Sequence, residues 1–377
     1  MNSNLTADLA GSSSRADTAP LQATMPHLVA HRSFGLDLAR TIAISLVLAA
    51  HFGHKILDAV GFWGVELFFA LSGFLIGQIL WRNFSSVGNW KPSHILNFWQ
   101  RRWWRTVPNY YLFFIVLLVS GLLSKSEIPS LLDLSKFIWF GQFLYNHNWG
   151  FYSVSWSLCI EEWFYLVFPL LLFTSSTVIR NRKTSFIISL LLIFAGSIII
   201  RNVLAQNQGH YLRGITCARL DAIGYGVLIA FLMLISERTF RLRYLMLFVG
   251  VLFQILSVID ISTFGLAHTV NSSIFLIIVP LGFALMMPWL SSLATPNSNY
   301  KIITASIEKI SLWSYSIYLS HGPIMWSVYF LLKDYRASFI GNLASKIVGL
   351  ALTLVASAIL YRFFEVPFTK MRPKELK

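Results

Sequence analysis

Apolar residues gather in windows near 36–54, 64–81, 109–124, 154–177, 185–203, 216–235, 244–262, 271–290, 305–331 and 343–363. At 1.5 Å of rise per residue, about 20 helical residues cross a hydrocarbon core ~30 Å thick. The pattern therefore predicts an all-α, polytopic integral membrane helical bundle of about ten transmembrane helices. One further apolar patch, Phe137 to Tyr145, is too short to span. Its Trp, Tyr and Asn content predicts a short interfacial or re-entrant segment on the outer face. Residues 1–32 are polar and lack the apolar core of a signal peptide, so they are expected to form a disordered cytosolic tail. Residues 33–368 then form the membrane domain, and 369–377 a short basic C-terminal tail in the cytosol.

Composition sharpens this picture. The chain is 56% hydrophobic and only 12% charged, against about a quarter charged in soluble domains. Its net charge of +14 would suit a nucleic-acid partner if the basic residues lay on a soluble surface. They fall instead between the apolar windows, so membrane lipids are expected as partners and nucleic acid is not. Arg82, Lys91, Arg101, Arg102, Arg105, Arg180, Arg182, Lys183, Arg238, Arg241 and Arg243 all flank windows on the side of the N-terminus. Fewer basic residues, among them Lys125, Lys136, Arg201, Arg213, Lys333 and Arg336, fall on the other. The positive-inside bias then places both termini in the cytoplasm. Cys159 and Cys217 lie in apolar runs with no metal-ligand spacing, so no metal is expected.

The informative residues are the polar ones inside the windows. The first window carries Arg40 and His51, eleven residues apart. At 100° per residue both side chains leave the helix on one face, about 16.5 Å apart along the axis. A cation at one depth and a proton-transfer group at another imply a bundle interior or wet cavity between them. Glu66, Glu161, Glu162, Arg219, Asp221 and His321 converge on the outer half from four other windows, which again calls for a polar cavity. Arg219 and Asp221, two apart, do not face each other on a helix, so each needs its own partner. At the cytoplasmic end, Arg101, Arg102 and Arg105 precede Pro108, which opens the third window. With Arg40 they suit a polyanion arriving from the cytosol, through forked, charge-assisted hydrogen bonds. The same arginines would equally serve as anchors to anionic lipid, and the outer carboxylates as ion pairs tying helices together.

These residues fall in recognisable stretches. Arg40-x10-His51, Gly64-Val-Glu-Leu-Phe-Phe-Ala-Leu-Ser-Gly-Phe-Leu-Ile76, Arg101-Arg-Trp-Trp-Arg-Thr-Val-Pro-Asn-Tyr110 and Ser155-Trp-Ser-Leu-Cys-Ile-Glu-Glu-Trp-Phe-Tyr165 occur in that order. Weaker agreement follows in Arg219-Leu-Asp-Ala-Ile-Gly-Tyr-Gly226, Ser314-Tyr-Ser-Ile-Tyr-Leu-Ser-His321 and Phe364-Glu-Val-Pro367. In this order the chain resembles the acyltransferase-3 family of bacterial integral-membrane O-acyltransferases, from residue 35 to about 368. Glu66 departs from the aspartate more usual in that family, keeping the carboxylate on a longer arm. The chain is also expected to lack the additional soluble hydrolase-like domain of some relatives.

The resemblance implies transfer of an acyl group, expected to be acetyl, from cytosolic acyl-CoA to a hydroxyl of an extracytoplasmic carbohydrate or lipid-linked carbohydrate. The enzyme would sit in the bacterial cytoplasmic (inner) membrane. Arg40, Arg101, Arg102 and Arg105 would hold the CoA nucleotide, and the pantetheine arm would run outward along the first helix. The thioester would then reach His51 as general base. Glu66, Glu161 or Glu162 would orient the imidazole, and Arg219, Asp221 and His321 would meet the acceptor. A transporter or flippase of a lipid-linked saccharide is the rival reading of the same buried charges, although no internal repeat is evident.

Overall fold

The computed structural model describes residues 33–53, 57–125, 128–145, 150–205, 211–296 and 298–376. The expected N-terminal tail, 1–32, lies outside them. Among the described residues all regular structure is helical. The elements are α1 (Phe34–Phe52), α2 (Val60–Ser86), α3 (Pro92–Ser124), α4 (Leu131–Ile138), α5 (Trp156–Val178), α6 (Arg182–Ala205) and α7 (Leu220–Ile235), then α8 (Glu237–Arg241), α9 (Arg243–Phe264), α10 (Leu266–Thr269), α11 (Phe275–Ser291), α12 (Lys301–Leu331), α13 (Phe339–Leu360) and α14 (Val366–Lys370). A π-helical turn, Tyr361–Glu365, joins the last two.

Eight helical segments among the described residues are long and apolar enough to cross a membrane. The two other windows expected to span correspond to α11, which is 17 residues long, and α12, which is 31 residues long and begins with Lys301, Glu308 and Lys309. Leu122, Leu123, Leu191, Ile199, Phe248, Val355 and Ile359 are exposed on the helical surfaces. In water such a surface would aggregate; in a bilayer it is the lipid-facing side.

The centre of the bundle is built from α1, α2, α7 and α11, with α5, α6 and α12 around it. Helices approach this closely in lipid only where side chains are small. A Cβ on Gly73 of α2 would lie 2.0 Å from the Ile223 carbonyl oxygen of α7, and one on Gly226 would lie 2.3 Å from that of Ala70. These glycines are therefore packing residues. At one end of this pair Trp81 meets Phe186 and Phe231 edge-on, at 5.3 and 4.8 Å between ring centroids.

The short apolar patch does not span. α4 exposes Leu131 and Leu132, while Phe137, Phe140 and Phe143 turn inward. Behind it, Thr216 N–H donates to the Phe143 carbonyl at 2.8 Å, so the segment is tied to the start of α7. Tyr110 of α3 donates to the Phe137 carbonyl at 2.9 Å.

Candidate active site

Arginines reach one cavity from two helices. Arg40 on α1 lies 3.6 Å from Asp37, one turn back, and donates to the Ser311 hydroxyl of α12 at 3.2 Å. Ser311 donates in turn to Asp37 at 2.6 Å. Arg102 and Arg105 come from α3. All three line a cavity between α1, α2, α3, α5 and α12 that encloses about 880 Å³, open solvent at its mouth included. Ser72, Glu161 and Tyr165 share its wall. The Tyr165 and Ser72 hydroxyls are 2.6 Å apart, and Ser72 also bonds the Glu161 side chain. Arg101 is different: its guanidinium donates to the Pro373 carbonyl at 2.7 Å and lies 3.5 Å from Glu375.

Adjacent residues on a helix leave it 100° apart, and Glu161 and Glu162 part accordingly. Glu161 lines the cavity, whereas Glu162 accepts from the Thr106 hydroxyl of α3 at 2.6 Å. Its second oxygen, buried, has no hydrogen-bond partner among the described residues. Glu365, set in the π turn, accepts from Ser316 at 2.8 Å and Asn109 at 3.2 Å.

The histidines meet at the far end of α1. Tyr318 of α12 lines the cavity, and its ring centroid is 5.9 Å from that of His321, one turn on. His321 meets His51 edge-on at 4.7 Å. His51 Nδ1 lies 2.8 Å from the Val47 carbonyl, and His321 Nδ1 lies 3.2 Å from the Ile317 carbonyl. A carbonyl oxygen can only accept, so in each ring Nδ1 carries the proton and a neutral ring presents its lone pair at Nε2. His51 is exposed and His321 fully buried. The buried His321 Nε2 has no partner among the described residues.

None of the expected carboxylates is found against His51 among the described residues. Glu66 is buried between two guanidiniums, 2.5 Å from Arg219 and 3.4 Å from Arg213. Asp221 pairs with Arg201 at 2.8 Å and accepts from the Tyr225 hydroxyl at 3.1 Å. Arg219 and Asp221 thus have separate partners, as their spacing requires. Arg201 and Arg213, expected in outer loops, are buried instead. Arg201 has Asp221 to neutralise it; Arg213 shares Glu66 and lies between the rings of Phe62 and Trp156, at 4.9 and 4.6 Å from their centroids. Such pairing is what makes a cation tolerable at that depth. Asp37, Ser311 and Tyr318 are the site residues that hydropathy passes over. Asp37 could have been found as a carboxylate three residues before Arg40; the other two required the contact between α1 and α12. Among the described residues no group of three or more His, Cys, Asp or Glu side chains is placed to hold a metal ion.

The described residues thus form a helical bundle with eight segments of membrane-crossing length, a cation-lined cavity and a histidine pair at the far end of α1. A family model described as an acyltransferase domain matches residues 33–362. The chain belongs to this acyltransferase-3 family. It is similar to O-acetyltransferase OatA of Staphylococcus aureus (strain NCTC 8325 / PS 47), 27% identical over 371 residues, which is 89% of this chain and 57% of that protein. A provisionally named O-acetyltransferase of Staphylococcus aureus (strain COL) is 27% identical over 365 residues, 91% of this chain and 58% of the relative. The chain thus spans less than three fifths of the length of these curated relatives. No solved structure matches it.

Proposed function

We propose that this acyltransferase moves an acetyl group from cytosolic acetyl-CoA to a hydroxyl of an extracytoplasmic carbohydrate, free or lipid-linked. Residues 33–368 form the catalytic domain, with cytosolic tails at 1–32 and 369–377, in the bacterial inner membrane. One observation carries the proposal: Arg40, Arg102 and Arg105 converge on a single cavity lined by Tyr318, whose ring lies 5.9 Å from that of His321, itself 4.7 Å from that of His51. Two relatives named as O-acetyltransferases support the acyl group and the oxygen acceptor.

The guanidiniums bind the CoA phosphates, and the pantetheine arm passes Ser72, Glu161 and Tyr165 toward Tyr318. His51, with its Nδ1 proton committed to Val47, uses Nε2 to take the acceptor hydroxyl proton. The alkoxide oxygen attacks the thioester carbonyl, the C–S bond breaks, and CoA leaves as thiolate to regain a proton from the imidazolium. The net products are the O-acetyl ester and free CoA. Glu66 and Asp221 hold the outer ends of α2 and α7 through buried ion pairs, and Glu161 lies nearer the donor. Orientation of His51 therefore falls to the Val47 carbonyl and the His321 ring, not to a carboxylate.

Purified protein, labelled acetyl-CoA and a panel of envelope saccharides test this. The wild type should transfer label, and His51→Ala should lose about 10²–10⁴-fold in rate, the contribution usual for a general base, while still binding acetyl-CoA. Transfer by His51→Ala at the wild-type rate would overturn the mechanism. Absence of acetyl-CoA binding by the wild type would overturn the donor.

A further inference from the structure

The C-terminal segment lies along α3 at the arginine-rich end of the cavity. Asn97 donates its side-chain amide to the Lys374 carbonyl at 2.8 Å and accepts from Leu376 N–H at 3.3 Å. One turn further, Arg101 donates to the Pro373 carbonyl at 2.7 Å, and its guanidinium lies 3.5 Å from the Glu375 carboxylate. Asn97 and Arg101, four residues apart, present one helix face, and the segment reads along it. Aromatic contacts secure its root: Trp104 stacks on Phe368 at 6.3 Å between centroids, and Phe368 meets Phe364 tilted, at 4.8 Å.

Arg101 and Arg105 both act electrostatically on Arg372, and Arg101, Arg105 and Arg372 all act on Arg102. Glu375 acts on Arg372 and on Arg82 and contacts Arg101. Arg82, Arg101, Arg102, Arg105 and Arg372 therefore form one basic collar. Among the described residues Glu375 is a carboxylate at its rim, while Glu161 faces the cavity beyond. Arg372, outside the spans, is held below the usual arginine pKa by partial desolvation first and then by Arg101 and Arg105, with Glu375 acting the opposite way. Both Arg101 and Glu375 are partly exposed, and an exposed pair of this kind holds weakly. A phosphate carries more charge than a carboxylate and accepts forked hydrogen bonds from guanidinium groups.

We propose that this collar is a phosphate-binding site in which Glu375 occupies the position of a donor phosphate, so that the nucleotide end of acyl-CoA displaces the segment Pro373–Leu376 on binding. Arg372 and Arg82 join Arg101, Arg102 and Arg105 as phosphate ligands. Because Pro373 and Glu375 rest on the same arginines, the segment acts as an internal competitor that sets donor affinity. The proposal rests on the acyl-CoA donor assigned above.

Binding of CoA to the full chain in detergent, measured by calorimetry, tests it. Glu375→Gln should bind CoA more tightly, by up to about fivefold, the range set by a weak exposed ion pair. The gain should shrink between low and high salt. Arg372→Gln should bind CoA several-fold more weakly. The same CoA affinity in wild type, Glu375→Gln and Arg372→Gln would overturn the collar while leaving the donor assignment intact. Weaker binding by Glu375→Gln would overturn it too, by showing the segment to be part of the site and not its competitor. A wild type that binds no CoA at all would remove the donor assignment and the collar with it.

Discussion

The ring of His321 meets the ring of His51 edge-on, centroids 4.7 Å apart and planes at 70°, although the two residues are carried by helices at opposite ends of the chain. His321 is buried, its Nδ1 is tied to its own helix, and its Nε2 is unpartnered among the described residues. A buried lone pair without a donor is costly, and an acceptor hydroxyl could supply one. His321→Phe keeps the aromatic edge against His51 but removes that lone pair; His321→Ala removes both. Both variants are expected to bind acetyl-CoA normally. His321→Phe should raise the acceptor KM, and His321→Ala should also lower kcat by tenfold or more (about 1.4 kcal/mol). Steady-state kinetics that separate kcat from KM check this.

Arg40 lines the cavity in which the donor is proposed to lie, held by Asp37 and Ser311. Arg40→Gln should raise the KM for acetyl-CoA by about tenfold, with kcat little changed, the signature of lost uniform binding. Arg40→Lys restores the charge but not the fork and should recover only part of the affinity. Titration with acetyl-CoA at fixed ionic strength measures both.

Glu66 separates structural from catalytic roles among the carboxylates. It neutralises Arg219 and Arg213 in a dry setting. Glu66→Gln would leave two buried guanidiniums with no carboxylate between them, a change worth about 3–5 kcal/mol. The expected outcome is a marked drop in melting temperature in detergent and loss of folded protein, with residual activity tracking the folded fraction. A fully stable but inactive Glu66→Gln would place Glu66 in the chemistry instead.

Eight of the ten expected spans were legible because hydropathy specifies them, and so was the shared face of Arg40 and His51, since helical register is arithmetic. The partner of His51 was not legible. Glu66, Glu161 and Glu162 all lay at a plausible depth, but depth does not say which way a helix is rotated. Glu66 turns toward Arg219 and Glu162 toward Thr106. Arg201 is a similar case: at the end of an apolar window it resembles a loop residue, and its burial depends on Asp221, twenty positions later, to neutralise it, with the Ala218 carbonyl and Ser273 taking further hydrogen bonds. Residues 369–377 read as a basic tail because four of their nine residues are basic; the position of Glu375 against Arg101 depends on where α14 leaves the bundle.

Gly73 offers a test of packing without chemistry. With the Ile223 carbonyl oxygen 2.0 Å from the site of any added Cβ, Gly73→Val must push α2 away from α7. Overpacking of this kind costs about 1–3 kcal/mol. The melting temperature should fall, whereas Gly88→Ala, with nothing within 4 Å of its added Cβ, should leave it unchanged.

The unbroken course of α1 from Phe34 to Phe52 has a consequence for donor choice. A continuous helix is a rod of fixed length, and Arg40 and His51 are pinned to it about 16.5 Å apart. In the mechanism proposed above it works as a gauge: a thioester on a short thiol would not bridge from Arg40 to His51, however reactive it is, while one on a long flexible tether would. Donors would be sorted by reach before their reactivity matters.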